Sequence, residues 1–310
     1  MDSNVGESIS TDDQRPNNIL DILNDHCIQE IFTHLCTNLD FLNVAGVCKK
    51  FRENARKSLL ACFKKLSIDN YICFSDVPPK RIPSFLRIFG DQLNMINLNY
   101  TATSQEIPHS DYIRLGHIDM ITNYCSKTLL QLEIACSNDV QLDMEISSQF
   151  VVLEKLSINS STINKLSPFP KLKELMLFKV KVKNCDWLKY EFPKLEQLYL
   201  LTDGLNDELF IEFQKKNPQL KSLTVIKSSL SSCIFQNIET RLPNLEELVY
   251  IAREDIHQFN ANDFLHISNL TKLKCLIISE RRLPKEPLIK SLGKKKVPIK
   301  KLEINDVLRR

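Results

Sequence analysis

The sequence predicts an α/β solenoid in which short parallel strands alternate with helices, and two observations carry the prediction. The first is a repeat: Leu-x-x-Leu-x-Leu, with Ile, Val or an aromatic residue substituting, recurs down the chain. From Leu129 onward the openings of successive copies lie 24, 19, 23, 25, 25, 28 and 26 residues apart. The second is composition. With 310 residues, 43% hydrophobic and 25% charged, the chain can bury a sizeable core. Its six glycines are few for folds that need many phosphate loops or tight hairpins.

Residues 1–18 are polar and aperiodic, carry Asp2, Glu7, Asp12 and Asp13 against Arg15, and read as a disordered tail. Residues 19–60 read as three short helices. Asn24 or Asp25 can cap the first, whose apolar residues Ile28, Ile31, Phe32 and Leu35 share a face. Leu42, Val44, Val47 and Cys48 suggest the second. Gly46 inside it costs about 1 kcal/mol relative to Ala, which predicts close packing at that point. Phe51, Ala55 and Leu59 mark the third, with Lys49, Lys50, Arg52, Arg56 and Lys57 around it. So small a unit is marginal by itself, and taken on its residues alone it reads as a cap that seals the first repeat.

Residues 61–310 hold the repeats. Phe63/Leu66/Ile68 and Leu93/Ile96/Leu98 are weak copies. Clear ones run from Leu129/Leu132/Ile134 through Leu153/Leu156/Ile158, Leu172/Leu175/Leu177, Leu195/Leu198/Leu200 and Leu220/Leu223/Val225. Leu245/Leu248/Tyr250, Leu273/Leu276/Ile278 and Ile299/Leu302/Ile304 complete the series. A period of about 20–29 residues defines leucine-rich repeats. The last two apolar positions are two residues apart, so both project from one side of a strand. Between strands, Leu205, Leu209 and Phe213, then Phe235, Ile238 and Leu242, carry helical spacing. Pro170, Pro193, Pro218 and Pro243 each stand two residues before an opening Leu, where proline stops a helix and favours extended backbone. Eight residues after that Leu, where these repeats usually carry Asn or Cys, stand Ser161, Val180, Asp203, Ser228, Arg253 and Arg281. Irregular turns are expected there, above all at Val180 and Arg253.

Counting from each opening Leu, side chains two, four and six residues on should face outward on the concave side. The four- and six-residue rows are mainly polar at the ends and mostly apolar in the middle. Met176, Phe178, Tyr199, Leu201, Ile226, Val249, Ile251 and Ile277 therefore form an expected substrate-binding patch for an unknown protein.

The helical segment resembles an F-box, the motif by which substrate receptors dock onto the Skp adaptor of cullin–RING ubiquitin ligases. The matching residues are Leu23, Asp25, His26, Ile28, Ile31, Phe32 and Leu35, then Asp40, Phe41, Val44, Val47, Cys48, Lys49, Lys50 and Phe51. Asn24 stands where the motif usually has proline. The resemblance implies a substrate receptor of an SCF-type ligase, bound through a Skp-type adaptor to cullin. Leu23, Ile28, Ile31, Phe32, Leu35, Phe41, Val44, Val47, Cys48 and Phe51 would be its adaptor-binding residues. The alternative is a ligase-independent repeat scaffold or inhibitor.

No GxGxxG, Walker A, GxSxG or HExxH motif occurs, and the six histidines lack metal-ligand spacing, so no catalytic residue, metal or cofactor is expected. The ten cysteines include no CxxC and read as reduced, mostly buried thiols. No apolar run approaches the roughly 18 residues of a membrane span, and no signal peptide opens the chain, so a cytoplasmic or nuclear protein is expected. The +3 net charge hides a basic end: residues 281–310 hold eleven Lys/Arg against three acids. A polar cap on the last repeat is the favoured reading of that end, with a nuclear address or nucleic-acid patch as the alternative.

Overall fold

The computed structural model describes residues 23–35, 37–62, 65–69, 77–100, 110–136, 141–144, 149–253, 260–280, 282–283 and 285–305. The expected tail at 1–18, and Arg281, Arg309 and Arg310, lie outside them. The chain forms two compact units, Met1–Cys62 and Phe63–Arg310.

The first unit holds α1 (Asp25–Phe32), α2 (Asn38–Ala45) and α3 (Lys49–Cys62), and side-chain caps start the first two. Asn24 accepts from the Cys27 amide at 2.8 Å. Thr37 and Asp40 cap each other reciprocally, each side chain accepting from the other's backbone N–H at 3.1 Å. Phe32 meets Phe41 and Phe51 edge-on, with centroids 6.4 and 5.6 Å apart. Beside them the buried Asn54 amide donates to Asp25 and to the Lys50 carbonyl and accepts from Gln29. Two expectations fail. Gly46 ends α2 instead of lying within it, and an added Cβ there would meet only its own helix's carbonyls. Val47 and Cys48 belong to the link that follows, because the helix stops at Ala45.

The second unit is an α/β solenoid whose successive main-sheet strands carry the Leu-x-x-Leu-x-Leu pattern. Its main sheet orders β1 (Lys65–Asp69), β2 (Met95–Tyr100), β3 (Gln131–Cys136), β5 (Lys155–Asn159), β7 (Glu174–Val182), β8 (Gln197–Asp203), β9 (Ser222–Ile226), β10 (Glu247–Ile251), β11 (Cys275–Ser279) and β12 (Lys301–Asn305) in sequence, all parallel. β4 (Gln141–Met144) pairs with β6 (Thr162–Leu166), which pairs in turn with the end of β7. The inward pairs Leu175/Leu177, Leu198/Leu200, Leu223/Val225, Leu248/Tyr250 and Leu276/Ile278 are each at most 2% exposed. At about 1.5–3 kcal/mol per buried side chain, stacking these pairs is the dominant favourable term.

The prolines act through a specific turn. In Phe169-Pro170, Phe192-Pro193, Asn217-Pro218 and Leu242-Pro243 the first residue is buried, and its carbonyl accepts from the opening Leu amide. Proline therefore sits second in a hydrogen-bonded turn, where its fixed φ fits. Asn217 differs from its apolar counterparts: its side chain accepts from the Phe192 amide and donates to the Phe213 carbonyl, both at 2.8 Å, stapling two repeats together.

Helices cover the inward side of the sheet. α4 (Ile82–Phe89) and α5 (Ser110–Cys125) approach so closely that a Cβ on Gly90 would lie 2.7 Å from Tyr124 Cβ. In α6 (Asp207–Lys216) Phe210 and Phe213 are buried, so Phe210 takes the place expected of Leu209. The helix expected over 232–242 is broken at Asn237 (φ 51) into a 3-10 turn, Ser232–Phe235, and the short α7 (Ile238–Arg241). Phe235, Ile238 and Leu242 still bury fully. The irregular turn expected at Val180 is present as a register shift between Phe178 and Val180, with Lys179 at φ 51. The residues after Arg253 lie outside the described ones.

At the far end, α8 (Lys285–Lys294) precedes β12, which pairs only with β11 among the described residues. Lys290 and Lys294–Lys296 are exposed there, but so are Ile289 (47%) and the inward-position Leu302 (42%), so the outer face is not wholly polar.

Candidate functional site

The parallel register aligns the outward side chains into columns that cross the strands. One runs Met176, Tyr199, Thr224, Val249, Ile277. In the next, Phe178 pairs with Leu201 across β7 and β8, and Ile226 with Ile251 across β9 and β10. Met176 is 41% exposed and the rest are half-buried, partly covered by one another. Phe178 stacks on Tyr199 with ring planes 28° apart, and this partial burial raises the Tyr199 phenol pKa. A cavity of about 180 Å³ opens beside them, lined by Glu174, Met176, Gln197, Tyr199, Ser222 and Thr224 among others. All eight residues expected to bind substrate thus share one face, with Asn97, Glu133, Ser157 and Asn159 bounding it on one side and Ser279 on the other.

Two charged edges flank this stripe, and both escaped the sequence reading. Along the leading edge, where strands begin, the residue after each opening Leu gives its carbonyl to two successive amides of the next repeat. Glu154, Lys173, Glu196, Lys221 and Glu246 all do so. That backbone ladder stacks their side chains, and the alternating signs pair as Glu154–Lys173 (2.8 Å), Glu196–Lys221 (3.0 Å) and Glu246–Lys274 (2.5 Å). The Glu/Lys alternation at repeat spacing was the available signal. Along the trailing edge, where strands end, Ser160, Lys179 and Lys227 adopt positive φ at one repeat position. Gly204 (φ 85) turns the chain after β8, packed so tightly that a Cβ would lie 2.5 Å from the Val182 carbonyl oxygen. There Arg253 pairs with Asp203 at 2.6 Å.

In the helical unit the ten residues expected to bind an adaptor divide by exposure. Ile28, Phe32 and Phe41 are buried, so they cannot themselves touch a partner and act by holding the helices together. Leu23, Leu35, Val44, Cys48 and Phe51 are half-buried. Ile31 and Val47 are 50% and 59% exposed, a large apolar exposure for so small a unit.

The thiols also depart from expectation. Seven described cysteines are free, but only Cys125 and Cys136 are buried. Burial pushes the Cys125 thiol up to about 12, with Asp91 adding to the shift. Of the others, Cys27 is exposed in the first turn of α1, Cys48, Cys185 and Cys233 sit at links and 3-10 turns, and Cys275 is on the outward side of a strand. No group of His, Cys, Asp and Glu among the described residues can hold a metal ion, and no described helix is long and apolar enough to cross a membrane.

No family model matches the chain, and no curated protein matches it. Similar solved structures include the plant peptide hormone receptor RGFR1 in complex with RGF2, 16% identical, with a TM-score of 0.42 over 77% of this chain. The match spans 38% of the receptor chain. An internalin (inlF) from Listeria monocytogenes is 14% identical, with a TM-score of 0.31 over 91% of this chain and 98% of its own.

Proposed function

We propose that the repeats capture a protein partner on their outward stripe, and that the helical unit joins them to a Skp-type adaptor and through it to cullin. The observation that carries the first part is the contiguous apolar column pair centred on Phe178, Tyr199 and Leu201, on a sheet whose inward face is already filled. Soluble proteins seldom leave such a stripe without a use, and stacked rings supply anchors of the kind that dominate binding energy. The second part rests on the F-box resemblance and on the exposed Ile31 and Val47. In this reading the protein is a non-catalytic substrate receptor of an SCF-type ubiquitin ligase.

The test is direct binding of the full chain to a purified Skp adaptor. Ile31→Asp with Val47→Asp places charge on exposed positions without touching the Phe32–Phe41–Phe51 cluster. Loss of a buried anchor commonly costs about 2 kcal/mol or more, so affinity should fall at least about thirtyfold while the helices stay folded by circular dichroism. Wild-type protein that fails to bind the adaptor points to the ligase-independent scaffold instead.

A further inference from the structure

We infer that the segment held on the stripe is a peptide acidic along one edge, its apolar side chains on the stripe and its Asp and Glu carboxylates over the trailing edge. This rests on the stripe being the capture surface. The two edges differ in charge balance. On the leading edge Lys173, Lys221 and Lys274 each meet a glutamate of the preceding repeat. On the trailing edge Lys179, Lys181, Lys183 and Lys227 are exposed, and none has a carboxylate at ion-pair distance among the described residues. Asp203, the register partner of Lys181, is taken by Arg253.

The backbone reinforces the asymmetry. Lys179 and Lys227 occupy the same position in their repeats and both adopt positive φ, which L-residues seldom do. Lys179 Nζ lies 5.4 Å from the Phe178 ring centroid, which puts positive charge at the margin of the stripe itself. Unbalanced cations bordering apolar surface favour a partner whose carboxylates arrive with its apolar residues, and they repel a basic one. Between the edges the stripe is largely aliphatic at Leu201, Ile226 and Ile251, which suits peptide side chains better than stacked bases.

A random-peptide display library panned against the full chain tests this. Selected peptides should combine apolar residues with excess Asp and Glu. By fluorescence anisotropy their affinity should fall about tenfold or more in Lys179→Glu/Lys181→Glu/Lys183→Glu/Lys227→Glu, and hold in Lys294→Gln/Lys295→Gln/Lys296→Gln. If the reversal variant unfolds, Gln at the same four positions gives the same comparison. Peptides without acidic excess, or indifferent to the four lysines yet weakened by Tyr199→Ser/Leu201→Ser, overturn the acidic edge and leave the stripe standing. Peptides indifferent to Tyr199 and Leu201 overturn the capture reading and this inference with it. A thymidine oligonucleotide that competes as well as the peptides assigns the lysines to nucleic acid and also overturns it.

Discussion

Phe213→Ala should cost the repeats about 3–5 kcal/mol, as expected when a large aromatic leaves a packed core. Phe213 is 1% exposed, and its ring meets Trp187 edge-on at 5.5 Å, Phe192 at 6.0 Å and Phe210 at 6.0 Å. Trp187 and Phe192 belong to the preceding repeat, so this one side chain ties the helical layer of two repeats. Solenoid stability is close to a sum of repeat and neighbour terms, so a cavity here weakens the array at its middle. Thermal denaturation should show a fall in Tm of roughly 6–20 °C for a unit this size. A fall of a degree or less would mean that the cluster is not the mechanical centre assigned to it.

Phe32→Ala should unfold the helical unit outright. A unit of roughly forty residues has only about 2–6 kcal/mol to lose, and removing the ring that touches Phe41 and Phe51 costs about 3–5 kcal/mol. Amide hydrogen exchange should show protection lost across α1–α3 while the strands of the repeats keep theirs. Retained protection in the helices would show that the aromatic triad is not what holds them. The substitution also separates roles. Loss of adaptor binding by Phe32→Ala reports a lost scaffold, whereas loss by Ile31→Asp with Val47→Asp reports a lost surface.

The strands were legible in the sequence because a leucine pair two residues apart can satisfy only one geometry, with Leu175 and Leu177 inward and Met176 outward. Ten residues after an opening Leu the sequence is apolar again, and Ile163, Val182, Leu205, Leu230 and Leu283 all return to the core. The helices were less so. Leu209 and Phe210 are both apolar, and a ten-residue helix does not announce which of the two faces inward until its Asn206 cap sets the phase. Asn237 looks unremarkable between Phe235 and Ile238, yet its left-handed backbone breaks the helix there. β4 and β6 carried no Leu-x-x-Leu-x-Leu pattern to reveal them. Lys179, Lys181 and Lys183 alternate within five residues, but nothing in the sequence shows that Lys227 returns to the repeat position of Lys179 at the same edge.

The exposed and buried residues of the helical unit show where a motif and a surface part company. Of the ten residues that carry the resemblance, Ile28, Phe32 and Phe41 build the helical core, and only Ile31 and Val47 stand well out from it. The proposed adaptor docking and partner capture fall on different units, so mutation should separate them.

Capture of protein by the outward stripe can be read from a quantitative comparison of co-purifying proteins from cells. The chains compared are wild type and Tyr199→Ser/Leu201→Ser/Ile226→Ser, with thermal denaturation confirming that both fold alike. The triple variant should keep its adaptor and lose a defined set of other partners. A folded variant that retains every partner of the wild type would show that the stripe is not the capture surface.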